Sequence, residues 1–344
     1  MAVETGTDGR FAAGAERGAR ARAVAMRYGL LVLLVLMLAF FAYQEPAFLR
    51  LRNVFIILQS VAITAILALG VTATLVVGGF DLSIGAVAAT SMMASSYVMV
   101  VFGLGAVPAV ALCLLLGLAV GWLNGQLIVR LGIPDLLATL GMMFLLLGLQ
   151  LIPTAGRSIA TGMMLPDGGT ATGTFARGFL MLGRYRLFDT VPVSVVVMVV
   201  LAVLIWAFLG FTRFGRVMYA IGGNERAARL AGADVEGYKV AAYMISGLFA
   251  AIGGILLAAR VGRGDVSSGN NLLLDAVAAA LIGFAVLGAA KPNAFGTAIG
   301  ALFVGVLLNG LTMLNAPYYA QDFVKGAVLV LALMFTFGLS ARRR

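Results

Sequence analysis

Histidine is absent from this 344-residue sequence, and cysteine occurs once, at Cys113. Without imidazole there is no His-based general acid–base chemistry, no Ser-His-Asp triad and no imidazole metal site. A single thiol inside an apolar run forms neither an internal disulfide nor a zinc cluster. Lysine is confined to Lys239, Lys291 and Lys325, none of which follows a glycine. A phosphate-cradling GxxxxGK[ST] loop is therefore missing, so the chain does not hydrolyse nucleotide by that route. Charged residues make up only 11% of the chain, less than half the share that a soluble surface requires.

Apolar residues are abundant instead, at 62%. They run in long blocks such as 28–41, 191–209 and 324–339 rather than at amphipathic spacing. This composition predicts an all-α, polytopic membrane protein. A bilayer core of about 30 Å needs about 20 apolar residues per helix. Ten stretches qualify: 27–44, 54–77, 84–102, 107–129, 133–151, 191–209, 239–259, 273–290, 294–314 and 319–338. The first follows a polar lead too long for a signal peptide and precedes no clean A-x-A site, which favours a retained helix.

An even number of spans puts both termini on one side, and the basic residues indicate which. With the termini inside, fifteen Lys and Arg residues fall on the cytoplasmic side and eight outside, with Lys325 within a span. Both termini are therefore expected in the cytoplasm. The net charge of +10 follows the same logic: basic residues gather at span ends, where lipid and topology account for them, and no nucleic-acid partner is implied. The organisation is a basic tail (1–26), one transmembrane domain (27–340) and a basic tail (341–344), with a long periplasmic loop at 153–190 and a long cytoplasmic loop at 211–238.

The outer loop is rich in Gly and Thr and reads either as an ordered platform or as a loose connector. The inner loop carries a short helix, Glu225–Ala231, with Asn224 as N-cap, Gly222 and Gly223 as a sharp turn before it and Gly232 as its stop. Glu225 suits the positive end of the helix dipole. Ala227, Leu230 and Ala231 share one face; Arg226 and Arg229 share another; Ala228 adjoins the first. Two turns are marginal alone in water, so the helix needs a surface, either a partner's groove or lipid headgroups.

Four stretches carry a family resemblance. VVGGFDLSIGAVAAT (76–90), WLNGQLIVRLGIPDLLATLGMMFLLLGL (122–149), AIGGNERAARLAGADVEGYKVAAYMISGLFAAIGGIL (220–256) and LLLDAVAAALIGFAVLGAAKPNAFGTAIGALFVGVLLNGL (272–311) resemble, in order, the signatures of the ribose-type permeases of bacterial ABC importers. Two departures stand out: Ala289-Ala290-Lys291-Pro292-Asn293 where the family has a glycine-rich turn, and Asp135 where it has an apolar or small residue. The resemblance implies an ABC-importer permease fold. It also implies two permease subunits, identical or paralogous, around a pathway, with two cytoplasmic ATPase subunits and a periplasmic binding protein that delivers a monosaccharide. Residues 222–232 would then be the segment that enters the ATPase. No cofactor is implied.

Other polar residues carry two readings each. Asp81 and Ser83 mark a break before the third span, as a helix cap or as a contact beside the pathway. Asp275 and Lys325 lie at matching depth and either pair or act separately, one as a cap and the other snorkelling. Asn124, near Trp122, and Asn309 either meet sugar hydroxyls or bond a neighbouring helix. Gly117-x-x-x-Gly121 and Gly296-x-x-x-Gly300 permit close packing, within the chain or in a dimer. The function expected is ATP-driven import of a small polar solute. An ion-coupled secondary transporter is the alternative, although the acids stand near helix starts rather than mid-membrane. An intramembrane transferase finds no catalytic constellation here.

Overall fold

The computed structural model describes residues 28–165, 168–284 and 291–334. The tails 1–26 and 341–344, and Ala289-Ala290 of the atypical turn, lie outside the described residues. Each of the ten apolar stretches holds a helix: α1 (Tyr28–Gln44), α2 (Leu51–Val76), α3 (Ile84–Val100), α4 (Ala106–Val129), α5 (Asp135–Leu149), α7 (Val193–Phe211), α10 (Val235–Val261), α11 (Gly269–Gly283), α12 (Ala294–Met313) and α13 (Tyr318–Leu333). Three shorter helices complete the series: α6 (Arg177–Arg184), α8 (Arg213–Gly223) and α9 (Glu225–Leu230). By length and composition, six segments can cross a membrane: α2, α4, α7, α10, α12 and α5 continued to Thr154. Pro134, Pro192 and Pro317 stand just ahead of α5, α7 and α13. A missing N–H is harmless there, and proline holds the entering chain extended.

The centre of the molecule is α2, α3, α10 and α12, whose side chains are largely enclosed, while α4, α5 and α7 leave most of their surface open. The α4–α10 crossing is nearly backbone on backbone. A Cβ added at Gly117 would collide with the Gly247 carbonyl, one at Gly121 with the Tyr243 carbonyl, and one at Gly125 with Val240. Gly296 and Gly300 meet the Gly283 and Ala279 carbonyls of α11 in the same way. Both glycine pairs are thus spent inside the chain, not on a dimer. Small residues let backbones approach, and the gain is van der Waals contact along the seam.

The long loops are more structured than their composition suggests. In 153–190 the described residues form α6, a two-residue hairpin (β1, Arg186–Leu187; β2, Val191–Pro192) and bridges from Ile159 to Gly264 and from Met164 to Thr170. Ile159, Phe175 and Phe179 are buried against α3 and α10 residues. Arg184 donates to the Arg260 and Val261 carbonyls at the end of α10, at 3.1 and 2.9 Å. The loop is an ordered plate over that end of the bundle.

In 211–238 the sequence reading missed α8 entirely. Thr212 caps it, accepting from the Gly215 N–H. The expected sharp turn at Gly222-Gly223 does not occur: both residues end α8, and the chain turns at Asn224 (φ −158°, ψ 98°). Gly222 is required for approach instead, because a Cβ there would strike the Val76 carbonyl at the end of α2.

Candidate functional site

Between α2 and α3 the chain leaves helical geometry over Val77–Ser83, starting at Gly78 (φ +78°). Left-handed backbone of this kind favours glycine. Past the exposed Gly78 the segment is buried or half-buried, and polar groups enclosed there need partners. Asp81, 1% exposed, provides for much of it. Its Oδ1 accepts from the Ser83 N–H (2.8 Å) and the Ser83 hydroxyl (2.6 Å), and its Oδ2 accepts from Ser246 of α10 (2.7 Å). Asp81 is therefore not the cap of α3. Ser83 is the N-cap residue, and no side chain bonds the helix N–H groups there. A carboxylate two residues ahead of the cap reaches Ser83 but not the first turn, so it locks the break itself.

Neighbouring helices complete the lock. Asn124 on α4 donates to the Ser83 hydroxyl at 2.9 Å. Asp135 at the start of α5 accepts from the Phe80 N–H at 2.6 Å. Thr139, one turn on, accepts from the Leu82 N–H at 3.1 Å. Tyr243 of α10 donates to the Phe80 carbonyl at 3.4 Å. Three helices, α4, α5 and α10, thus hold seven residues of irregular backbone.

Beside this break stands α9. Asn224 accepts from the Ala227 N–H at 3.0 Å, and Gly232 follows with φ +86°, so cap and stop are those read from the sequence. Ala228 is the buried face, while Ala227 and Ala231 are exposed and Leu230 is 90% exposed. Glu225 pairs with Lys239 of α10 at 2.6 Å and with Arg229 at 3.5 Å, and Arg229 also reaches Glu236 at 3.4 Å. Arg226 is exposed.

The Lys239 hydrogen bond, ahead of the partial burial that opposes it, holds the Glu225 carboxyl below its ordinary value. A depressed carboxylate contributes stability that is present above its unfolded pKa and lost as pH falls through the folded one. Acidification below the ordinary carboxylate range should therefore loosen α9. Amide protection at 227–231, read by mass spectrometry and corrected for the intrinsic slowing of exchange in acid, should fall at acid pH in the wild type, and that fall should flatten in Glu225→Gln.

Asp275 on α11 and Lys325 on α13 form an ion pair at 2.9 Å, with side chains 17% and 18% exposed. Each lies about two turns into its helix, so Asp275 does not cap α11. Asp322 adds a second, longer contact to Lys325 at 3.4 Å. Removing one partner strands the other in a low-dielectric region, whereas removing both does not. Asp275→Asn and Lys325→Met should each reduce folded yield and uptake more than the double substitution does. Simply additive losses would show the two residues to be independent.

Asn309 is engaged with Asn53 of α2, whose amide donates to it at 3.3 Å, which is the helix-bonding role. Trp122 is 46% exposed while Asn124 is enclosed, so the two do not share a face and form no joint sugar-stacking site. Sequence reasoning missed Thr139, Tyr243 and Ser246, and it noted Asp135 only as a departure. Hydroxyls on apolar helices are common as local backbone partners, and only the fold shows that these converge on one break.

Comparison with known proteins places this arrangement. A family described as "branched-chain amino acid transport system / permease component" matches residues 53–333. The ribose import permease RbsC of Escherichia coli K12 is 36% identical over 305 residues, covering 88% of this chain and 91% of that protein. RbsC of Bacillus subtilis 168 is 36% identical over 306 residues (89% and 90%). The galactose/methyl galactoside import permease MglC of E. coli K12 is 32% identical over 329 residues (92% and 95%). No solved structure matches significantly. The chain belongs to this permease family: it is a membrane subunit of an ABC importer, a transport component rather than an enzyme.

Proposed function

We propose that this chain lines the pathway of an ATP-driven importer of a monosaccharide, in the bacterial inner membrane. A periplasmic binding protein delivers the solute, a second permease subunit completes the pathway, and cytoplasmic ATPase subunits supply the work. The observation that carries the reading is α9: a capped, salt-bridged helix that presents Leu230 almost fully to solvent while Gly222, just ahead of it, abuts the α2–α3 break. A docked ATPase would cover the exposed face and push on the break through the Gly222 contact at the end of α8. Ribose and galactose, named by the relatives, are the first solutes to try.

The test is uptake into proteoliposomes containing the permease, its ATPase and its binding protein. Sugar accumulation should require hydrolysable ATP. Accumulation driven by an ion gradient without the ATPase would favour the secondary-transporter reading.

In this reading all ten long helices cross the bilayer, both termini and loop 211–238 are cytoplasmic, and loop 153–190 is periplasmic. In a cysteine-free background, Thr5→Cys, Glu225→Cys and Arg343→Cys should be protected from an impermeant thiol reagent in spheroplasts, and Thr170→Cys should react. Opposite labelling of positions 5 and 343 would require an odd number of spans.

A further inference from the structure

A cavity of about 210 Å³ opens beside the break, lined by the backbone at Gly78 and Gly79 and by Ile128, Asp135, Lys239 and Tyr243. Asp135 gives Oδ2 to the Phe80 N–H, and among the described residues its other oxygen accepts no hydrogen bond. Tyr243 brings a buried hydroxyl, and Lys239 brings an ammonium already paired with Glu225 of α9. We infer that this cavity is a low-affinity site for the hydroxyl groups of a neutral monosaccharide, inside one subunit and at its α9 end; the inference rests on the import function proposed above.

Size and hydrogen-bonding capacity suit this class, and the import function proposed above chooses it. The volume equals that of roughly seven water molecules and is below the roughly 300–1,000 Å³ of sites for drug-sized ligands, so a single sugar ring suits it. The free Asp135 oxygen, with the Lys239 and Tyr243 heads, beside apolar Ile128, Ile133 and Pro134 suits a ring that carries hydroxyls on its rim and C–H groups on its face. Lys239 and Glu225 neutralise one another, leaving the lone Asp135 carboxylate. That charge repels an anionic solute, while its free oxygen can accept from a hydroxyl of a neutral one. A site here is also joined to α9 through Lys239–Glu225, and to the end of α8 through Gly222 against the Gly78 backbone.

Equilibrium binding of radiolabelled ribose and galactose to the permease–ATPase complex in nanodiscs, with the binding protein omitted, tests the site. Saturable binding in the millimolar range is expected, resistant to excess leucine and weakened about tenfold by Asp135→Asn, a loss of about 1.4 kcal/mol. Ile128→Trp, which fills the cavity without touching the hydrogen bonds of the break, should abolish it and guards against misfolding of the first variant. No saturable binding, binding unchanged in both variants, or displacement by leucine would overturn the site. Binding-protein-dependent uptake by the same wild-type complex separates the two ideas. Uptake without inner-face binding removes this site alone. Failure to transport any of a panel of pentoses and hexoses removes the import function and the site's ligand with it.

Discussion

Ala227→Asp is expected to abolish sugar uptake and the stimulation of ATP hydrolysis by loaded binding protein, while the permease still inserts and folds. Ala227 lies on the exposed side of α9 and its side chain supports nothing within the chain; its N–H, which Asn224 caps, is unchanged by the substitution. On the proposed coupling role, the damage would arise on docking, when a carboxylate enters a groove that takes a methyl group in the wild type. A buried, unpaired charge at an interface costs about 2–5 kcal/mol, which is about thirtyfold or more in affinity. Leu230→Asp should behave alike, since it removes the most exposed apolar side chain of the helix and adds the same charge. Co-purification with the ATPase, ATPase rate and uptake should fall together. Normal association and stimulation in both variants would leave α9 as a helix resting on headgroups.

Asp81→Ala should be the most destabilising single change in the break. It leaves the Ser83 N–H and two hydroxyls without their acceptor in a site closed to water. Each orphaned donor costs about 1–3 kcal/mol, so the total is a large part of a stability of about 5–15 kcal/mol. Asp81→Asn keeps an acceptor for Ser83 and offers Ser246 a donor in place of an acceptor, so its loss should be smaller. Thermal unfolding in nanodiscs should therefore rank wild type above Asn and Asn above Ala. An Ala variant as stable as wild type but dead in uptake would mean that Asp81 touches the solute rather than holding the break.

The helices were legible because a membrane span must satisfy its own backbone, and long apolar runs have no other way to do so. The α9 cap was legible for a similar local reason: Asn224 and Gly232 act within one turn of themselves. What the sequence hid is long-range. Asp81 read as a cap because acids ahead of helices commonly are, whereas its partner Ser246 is remote in sequence. Gly222 and Gly223 read as a turn because glycine pairs commonly are, whereas the Val76 carbonyl alone dictates Gly222. Amphipathic α8 sat in a loop whose charges drew attention away from its apolar positions, Met218 and Ile221, both buried. The Asp275–Lys325 pair was open to sequence only as two ions of matching depth.

The glycine seam between α4 and α10 has a mechanical consequence. Helix α10 has 27 residues, about 40 Å at about 1.5 Å per residue. One end is tied to α9 by Lys239, the other by Arg184 to the plate formed by loop 153–190. Gly117, Gly121 and Gly125 meet its N-terminal half with almost no compressible side chain between. Such a contact resists sliding yet permits rocking, and so serves as a fulcrum. A tilt of about five degrees about Tyr243 would carry the N-terminal end roughly 1 Å and the C-terminal end roughly 2 Å, in opposite directions. Helix α10 would then act as a rigid lever, by which a thrust from the ATPase side is delivered, reversed in sense, to the opposite face with no helix having to bend.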